Sequence, residues 1–107
     1  MISKELVAAS SEAMILAILA KGENYGYDII RLVRQSSGER IQWSDGMLYP
    51  VLHRLEKRGL IQSTWQTAET GRRRKYYRLT TKGSIALKDE KEQWETVHST
   101  LSSLWAS

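Results

Sequence analysis

A chain of 107 residues, 41% hydrophobic and 26% charged, has material for one modest core, and no stretch approaches the ~18 apolar residues that cross a bilayer. It has no cysteine, which excludes a disulfide, a thiolate nucleophile and a Cys-based zinc site and agrees with a reducing compartment. Lys4, Glu5, Ser10, Ser11 and Glu12 interrupt any leader-like apolar run, so a cytoplasmic location and no membrane partner are expected. The net charge of +4 is unevenly spread. Eight cations between Arg54 and Arg78 against Glu56 and Glu69 give +6, whereas residues 81–107 carry −1. The two regions should therefore meet different partners.

From about residue 3 to 20, Leu6, Val7, Met14, Ile15, Ile18 and Leu19 recur at helical spacing, and five alanines add propensity. Lys21-Gly22 closes this helix, with Gly22 able to take a left-handed conformation. Asn24 is the expected cap of a second helix from about Tyr25 to Ser36, with Tyr25, Ile29, Leu32 and Val33 on its apolar face, and Ser37-Gly38 ends it. Ile41-Gln42-Trp43 reads as a short extended piece. Ser44 then caps a third helix, with Asp45 near its positive end. Leu48, Val51, Leu52 and Leu55 form its buried face and Gly59 stops it. Pro50 lies inside this helix, and its missing N–H predicts a bend in the first turn. Leu60–Glu69 and Arg74–Thr80 read as strands whose core side carries Ile61, Trp65, Tyr77 and Leu79. Thr70-Gly71 and the arginines make the turn between them. A helix from about Thr81 to Trp105 comes last.

The expected fold class is mostly α with a small β-hairpin (α+β). Helix, turn, helix and hairpin is the order of a winged helix-turn-helix, here followed by a long C-terminal dimerisation helix. Residues 1–80 would form the DNA-binding part and residues 81–107 the dimerisation helix packed with the first helix, as one continuous domain. The run Arg72-Arg73-Arg74-Lys75 cannot enter a core, and Tyr76-Tyr77-Arg78-Leu79-Thr80 holds it on a strand. A positive hairpin tip after a helix suits the phosphates of double-stranded DNA. On the third helix, Gly46, Tyr49, Pro50, His53 and Lys57 face away from the apolar side, and Arg54 flanks them. Small Gly46 and flat Pro50 allow close approach to a groove, and Tyr49 and His53 can bond a base edge or a phosphate. The competing reading of both features is a solvated polar surface.

Two long motifs make the comparison specific. Asp45-Gly46-Met47-Leu48-Tyr49-Pro50-Val51-Leu52-His53-Arg54-Leu55-Glu56-Lys57-Arg58-Gly59-Leu60-Ile61 resembles the signature of PadR-type transcriptional regulators, with Met47 where that family often has Thr. Glu69-Thr70-Gly71-Arg72-Arg73-Arg74-Lys75-Tyr76-Tyr77-Arg78-Leu79-Thr80-Thr81-Lys82-Gly83 does so too, and Tyr25-Gly26-Tyr27-Asp28-Ile29 is similar to the start of the family's second helix. The resemblance implies a homodimer on a pseudo-palindromic operator, usually as a repressor. The short C-terminus is similar to that of the compact subfamily, some of whose members are multidrug sensors that bind flat aromatic or cationic compounds at the dimer centre. Carried over by position, the pore-lining residues of the first helix are Leu6, Ala9, Glu12, Ala13 and Ala17.

On the last helix, Leu87, Trp94, Val97, Leu101 and Leu104 fall near a/d spacing, interrupted by Glu90. A second copy is the expected partner for that stripe. Trp94 and His98 share a face, and two Trp94 side chains related by two-fold symmetry would offer indole faces to a planar cation. Trp94 as plain dimer core and Glu12 as a solvated carboxylate are the readings that stay open beside these. An enzyme is not expected, because there are only two histidines, no cysteine and no phosphate-cradling glycine loop. No cofactor or metal is expected either. The alternative function is a winged-helix protein–protein interaction module without sequence-specific DNA binding.

Overall fold

Four helices and three short strands follow one another in the computed structural model, which describes residues 1–106. They are α1 (Lys4–Ala20), β1 (Asn24–Tyr25), α2 (Gly26–Ser36), α3 (Asp45–Lys57), β2 (Ile61–Thr67), β3 (Arg73–Leu79) and α4 (Thr81–Ala106). Ser107, included in the expected C-terminal segment, lies outside the described residues. The α+β architecture expected from the sequence is the one observed, with the C-terminal helix in place.

The side chains of Ser3 and Ser44 cap α1 and α3 by accepting the Leu6 and Met47 backbone N–H groups, at 3.1 and 3.3 Å. Helix α3 runs unbroken through Pro50, which leaves the Gly46 carbonyl without its usual donor four residues on. Gly59, at φ +76°, takes the left-handed turn that ends α3. Lys82 Nζ then donates to the Arg58 carbonyl at 3.0 Å, a cation placed at the negative end of the helix.

The start of α2 differs from the expectation. Asn24 is not its cap; Asn24 and Tyr25 form a two-residue strand paired with Tyr77 and Tyr76. The Asn24 side chain turns inward to Asp28 instead, donating to Oδ2 at 2.7 Å. The sheet order is β1-β3-β2, all antiparallel. The turn also differs, because β3 begins at Arg73. Arg73 joins the strand, leaving only Arg72 of the basic run in the turn, while Arg74 and Lys75 are strand residues as expected.

The core gathers Ile15, Leu16 and Leu19 of α1, Ile29 and Val33 of α2, Leu48, Val51, Leu52 and Leu55 of α3, with Trp43, Leu60, Ile61 and Tyr77. Trp65, expected on the core side, is 59% exposed. It lies on the same hairpin face as Ile61 and Ser63, opposite Lys75, but the hairpin runs past the end of the core and carries it into solvent. The first turns of α4 pack on the core through Gly83, Ala86 and Leu87. Beyond Trp94 the helix leaves the body: Leu104 is 65% exposed and Trp105 75%. The molecule is accordingly 57 Å in its longest dimension and 21 Å in its shortest.

Candidate nucleic-acid interface

The buried row Leu48, Val51, Leu52 and Leu55 fixes the rotation of α3. Gly46, Tyr49, Pro50, His53, Arg54 and Lys57 are consequently all exposed. Tyr49 does not stand free, however. A Cβ on Gly26 would come within 2.5 Å of the Tyr49 hydroxyl, so the missing side chain at the start of α2 is what lets the phenol lie there. Gly26 is buried and ties the pose of Tyr49 to the N-terminus of α2, where backbone N–H groups without helical partners give a positive end.

The wing brings its cations to the same place. The Arg74 guanidinium sits 4.5 Å from the Tyr25 ring, Arg73 5.2 Å from Trp65 and Lys75 5.8 Å from Tyr77. Tyr25 also meets Tyr76 edge-on at 5.3 Å. Each stacked cation has an aromatic plane behind it, which limits its rotamers while its charge faces water. Between the wing and the start of α2 and α3 lies a cleft of about 620 Å³, lined by Tyr25, Gly26, Tyr27, Tyr49, Trp65 and the run Arg72–Lys75. Aromatic faces and guanidinium groups around one opening suit a sugar-phosphate chain: charge for the phosphates, flat apolar surface for the sugars.

Two ionisable groups brace this region from behind. Burial alone would push the Asp28 carboxyl up, but hydrogen bonds from Asn24 and Arg31, with the Arg31 charge, hold it below the ordinary carboxylate range. Burial, reinforced by Tyr49 and Glu56, pushes the Tyr77 phenol up to about 12. Glu56 in turn accepts a 2.5 Å hydrogen bond from the Ser63 hydroxyl, pinning α3 to β2.

Of the ten residues expected at DNA, Tyr49 and the run Arg72–Lys75 meet at this cleft, while Gly46, Pro50, His53, Arg54 and Lys57 are exposed on α3 outside its lining. Tyr25, expected on an apolar helix face, and Gly26, Tyr27 and Trp65 line the cleft but were missed as site residues. Tyr25-Gly26-Tyr27, a small residue between two aromatics at the start of a helix, is the signal that could have found the first three. Nothing in the sequence separates Trp65 from a core tryptophan.

The residues expected at a dimer centre are dispersed in the single chain. Trp94 is half-buried and its indole N–H donates to Glu90 Oε2 at 3.1 Å. Glu90, read from the sequence as an interruption, is therefore Trp94's partner one turn away. Val97, His98, Leu101 and Leu104 are exposed, whereas Leu87 packs on the chain's own core. On α1, Leu6, Ala9 and Ala17 are exposed and Ala13 is half-buried. Glu12 faces α3, where Arg58 Nη1 meets Oε1 at 2.8 Å and Arg54 Nε lies 4.0 Å from Oε2. Among the described residues no group of three or more His, Asp or Glu side chains gathers as metal ligands do, and no helix is long and apolar enough to cross a membrane.

Comparison with known proteins agrees with this geometry. The chain is 35% identical to Transcriptional regulator Rv3488 of Mycobacterium tuberculosis over 92 residues, covering 86% of this chain and 82% of that protein. A transcriptional regulator from Clostridium thermocellum superposes with a TM-score of 0.86 at 33% identity, over 95% of this chain and 96% of that one. The PadR-like transcriptional regulator BC4206 of Bacillus cereus gives 0.86 at 31% identity, over 97% and 99%. The family model of the transcriptional regulator PadR-like family matches residues 15–89. A winged helix with an exposed α3 face and a basic wing, the chain belongs to the PadR-like family of DNA-binding transcriptional regulators, and is not an enzyme.

Proposed function

We propose that the protein works in the cytoplasm as a homodimeric, ligand-responsive repressor on a pseudo-palindromic operator. The observation that carries this reading is the meeting of the wing cations and Tyr49 of the exposed α3 face at one cleft, on a chain whose last helix leaves its own core. In this reading residues 1–80 bind DNA and the helix from residue 81 onward makes the dimer. Val97, Leu101 and Leu104 are apolar, exposed and at helical spacing, and a second copy is the partner that two-fold symmetry supplies. Leu87 contributes from the edge of the chain's own core.

The test is a titration of the promoter fragment of the protein's own gene and of a random-sequence duplex, across a salt series. Arg73→Ala and Arg74→Ala should each lower the salt slope on both DNAs by about 0.9. Tyr49→Ala should weaken the promoter fragment more than the random duplex. An adaptor that binds proteins instead would show no salt-dependent binding of either DNA. For the dimer, Val97→Asp with Leu104→Asp should yield monomers in sedimentation, and an intact dimer would refute the stripe.

The ligand-responsive part rests on Trp94. Its indole is held by a carboxylate, Glu90, so an aromatic face and a negative charge lie together, and both suit a flat organic cation. Leu6, Ala9, Ala13 and His98 would line the rest. Glu12 adds little charge there, because its carboxylate is engaged by Arg58. A planar cationic dye should quench tryptophan emission and bind at least tenfold more weakly to Trp94→Ala. Equal binding by an intact Trp94→Ala dimer would remove the ligand from this reading.

A further inference from the structure

We propose that Glu12 is a charge restraint on the recognition helix, holding Arg58 and Arg54 back from the DNA backbone and so limiting sequence-independent binding. The inference rests on the reading that α3 faces DNA. Glu12 sits on α1 and reaches across 46 residues of sequence to Arg58, at 2.8 Å. Its other oxygen lies 4.0 Å from the Arg54 Nε. Among the described residues these are the only ion pairs that join distant segments; the remaining one links Asp28 and Arg31 within α2.

Arg54 and Arg58 are one helical turn apart and lie beside the exposed row of Gly46, Pro50, His53 and Lys57. Both are more than half exposed, so their charge is felt at the surface, whereas the Glu12 side chain is only 26% exposed. Lys57, on the same helix, has no ion-pair partner among the described residues. The carboxylate thus acts selectively on the two arginines at the margin of the face. Together the three groups carry +1. Without the carboxylate they would carry +2, and both guanidinium groups could reach phosphates.

A half-exposed pair of this kind adds little to stability, but an added free cation strengthens binding to every DNA sequence alike. A regulator gains nothing from that, because its selectivity is the ratio of operator to random binding. Glu12 keeps the ratio high by lowering the random term.

The experiment uses the full chain, a random-sequence duplex and the promoter fragment of its own gene, titrated from 50 to 200 mM salt. Glu12→Gln keeps the shape and removes the charge. It should bind the random duplex more tightly and steepen the salt slope by about 0.9, so that its advantage over the parent shrinks about 3.5-fold across that range. The ratio of promoter to random affinity should fall. Glu12→Asp, which keeps the charge, should behave as the parent. In an Arg54→Ala, Arg58→Ala background, Glu12→Gln should change nothing. Should the Gln variant fold poorly, Glu12→Ala, a better helix former, gives the same readout. An unchanged or shallower slope overturns the proposal, and so does equal steepening in the background lacking both arginines. A parent with no salt slope at all would instead overturn the DNA-facing reading of α3.

Discussion

Gly83→Ala tests how α4 is seated. Gly83 is buried in the first turn of α4, and its N–H donates to the Thr80 hydroxyl oxygen at 3.0 Å. A Cβ built there would lie 2.0 Å from the Leu60 carbonyl oxygen and 2.7 Å from Leu79 Cδ1. The leucine methyl can rotate away, but the carbonyl cannot easily retreat. It accepts the Thr80 N–H at 3.1 Å and the Thr80 hydroxyl at 3.0 Å, and it stands just before β2. Helix and carbonyl must therefore part by more than about 1 Å to regain ordinary contact. Overpacking of this kind costs about 1–3 kcal/mol, and a backbone obstacle places it at the upper end. Alanine returns roughly 1 kcal/mol through helix propensity. The net expectation is a loss of about 2 kcal/mol, or a fall in Tm of roughly 8–12 °C. Thermal and urea unfolding at one fixed protein concentration would measure it, since association makes the midpoint concentration-dependent. Gly46→Ala is the control: its Cβ would meet only the Ser44 hydroxyl, at 3.8 Å, so it should be neutral or up to about 1 kcal/mol more stable. A Gly83→Ala protein as stable as the parent would refute the steric argument.

Trp65→Ala removes an exposed indole, so stability should change little, while Arg73 loses the surface it stacks on. Affinity for random DNA should fall about two- to fivefold with the salt slope unchanged, because no charge is lost; a changed slope would mean that Trp65 affects the charged contacts themselves. Gly26→Ala should displace the Tyr49 hydroxyl rather than unfold the chain, since the obstacle is the tip of a side chain. Its cost to DNA binding should therefore vanish in a Tyr49→Ala background, and full additivity would refute the coupling. Tyr77 gives a pH signature. With its phenol raised from 10.0 to about 12 in the fold, the unfolded chain ionises first, so stability is complete below pH 10 and is lost as pH rises towards 12. In Tyr77→Phe that component should be absent, which parallel urea titrations of the two proteins would read.

Periodicity was enough for α1, α2 and α3 because each buries a regular row: Leu48, Val51, Leu52 and Leu55 are buried where their spacing puts them. It failed for Trp65 because alternation along a strand states which face a residue takes, not whether anything covers that face. The core ends near Ser63, and where a core ends depends on elements distant in sequence. Asn24 failed for a related reason. A lone capping residue is a local signal, and pairing with β3 supplied a non-local alternative for its backbone. The basic run was legible as charge held on a strand from Arg74 onward, but the start one residue earlier, at Arg73, was not, since it depends on a turn closed by bonds from the Ala68 N–H to the Arg72 carbonyl and from the Gly71 N–H to the Ala68 carbonyl. The partners of Glu12 were invisible for want of any pattern linking residues 46 positions apart.

That placement changes how the wing works. A loose loop of four cations would lose much side-chain freedom on meeting phosphates, up to about 2 kcal/mol for each arginine. Arg73 and Arg74 have already given up part of that freedom to Trp65 and Tyr25. The strand fixes their backbones, and successive residues point to opposite faces of the hairpin. Arg73 and Lys75 therefore share the face that carries Trp65 and Tyr77, while Arg74 takes the other face with Tyr76 and stacks on Tyr25 across the sheet edge. Charge is thus offered on both sides of a thin hairpin, which fits a groove bounded by phosphates on either hand. The α3 face has the opposite design, with small or flat residues and few charges. On the proposed reading affinity belongs to the wing and selectivity to α3, and for that reason a charge that leaks from α3 toward the DNA backbone, as at Arg54 and Arg58, would blur that division.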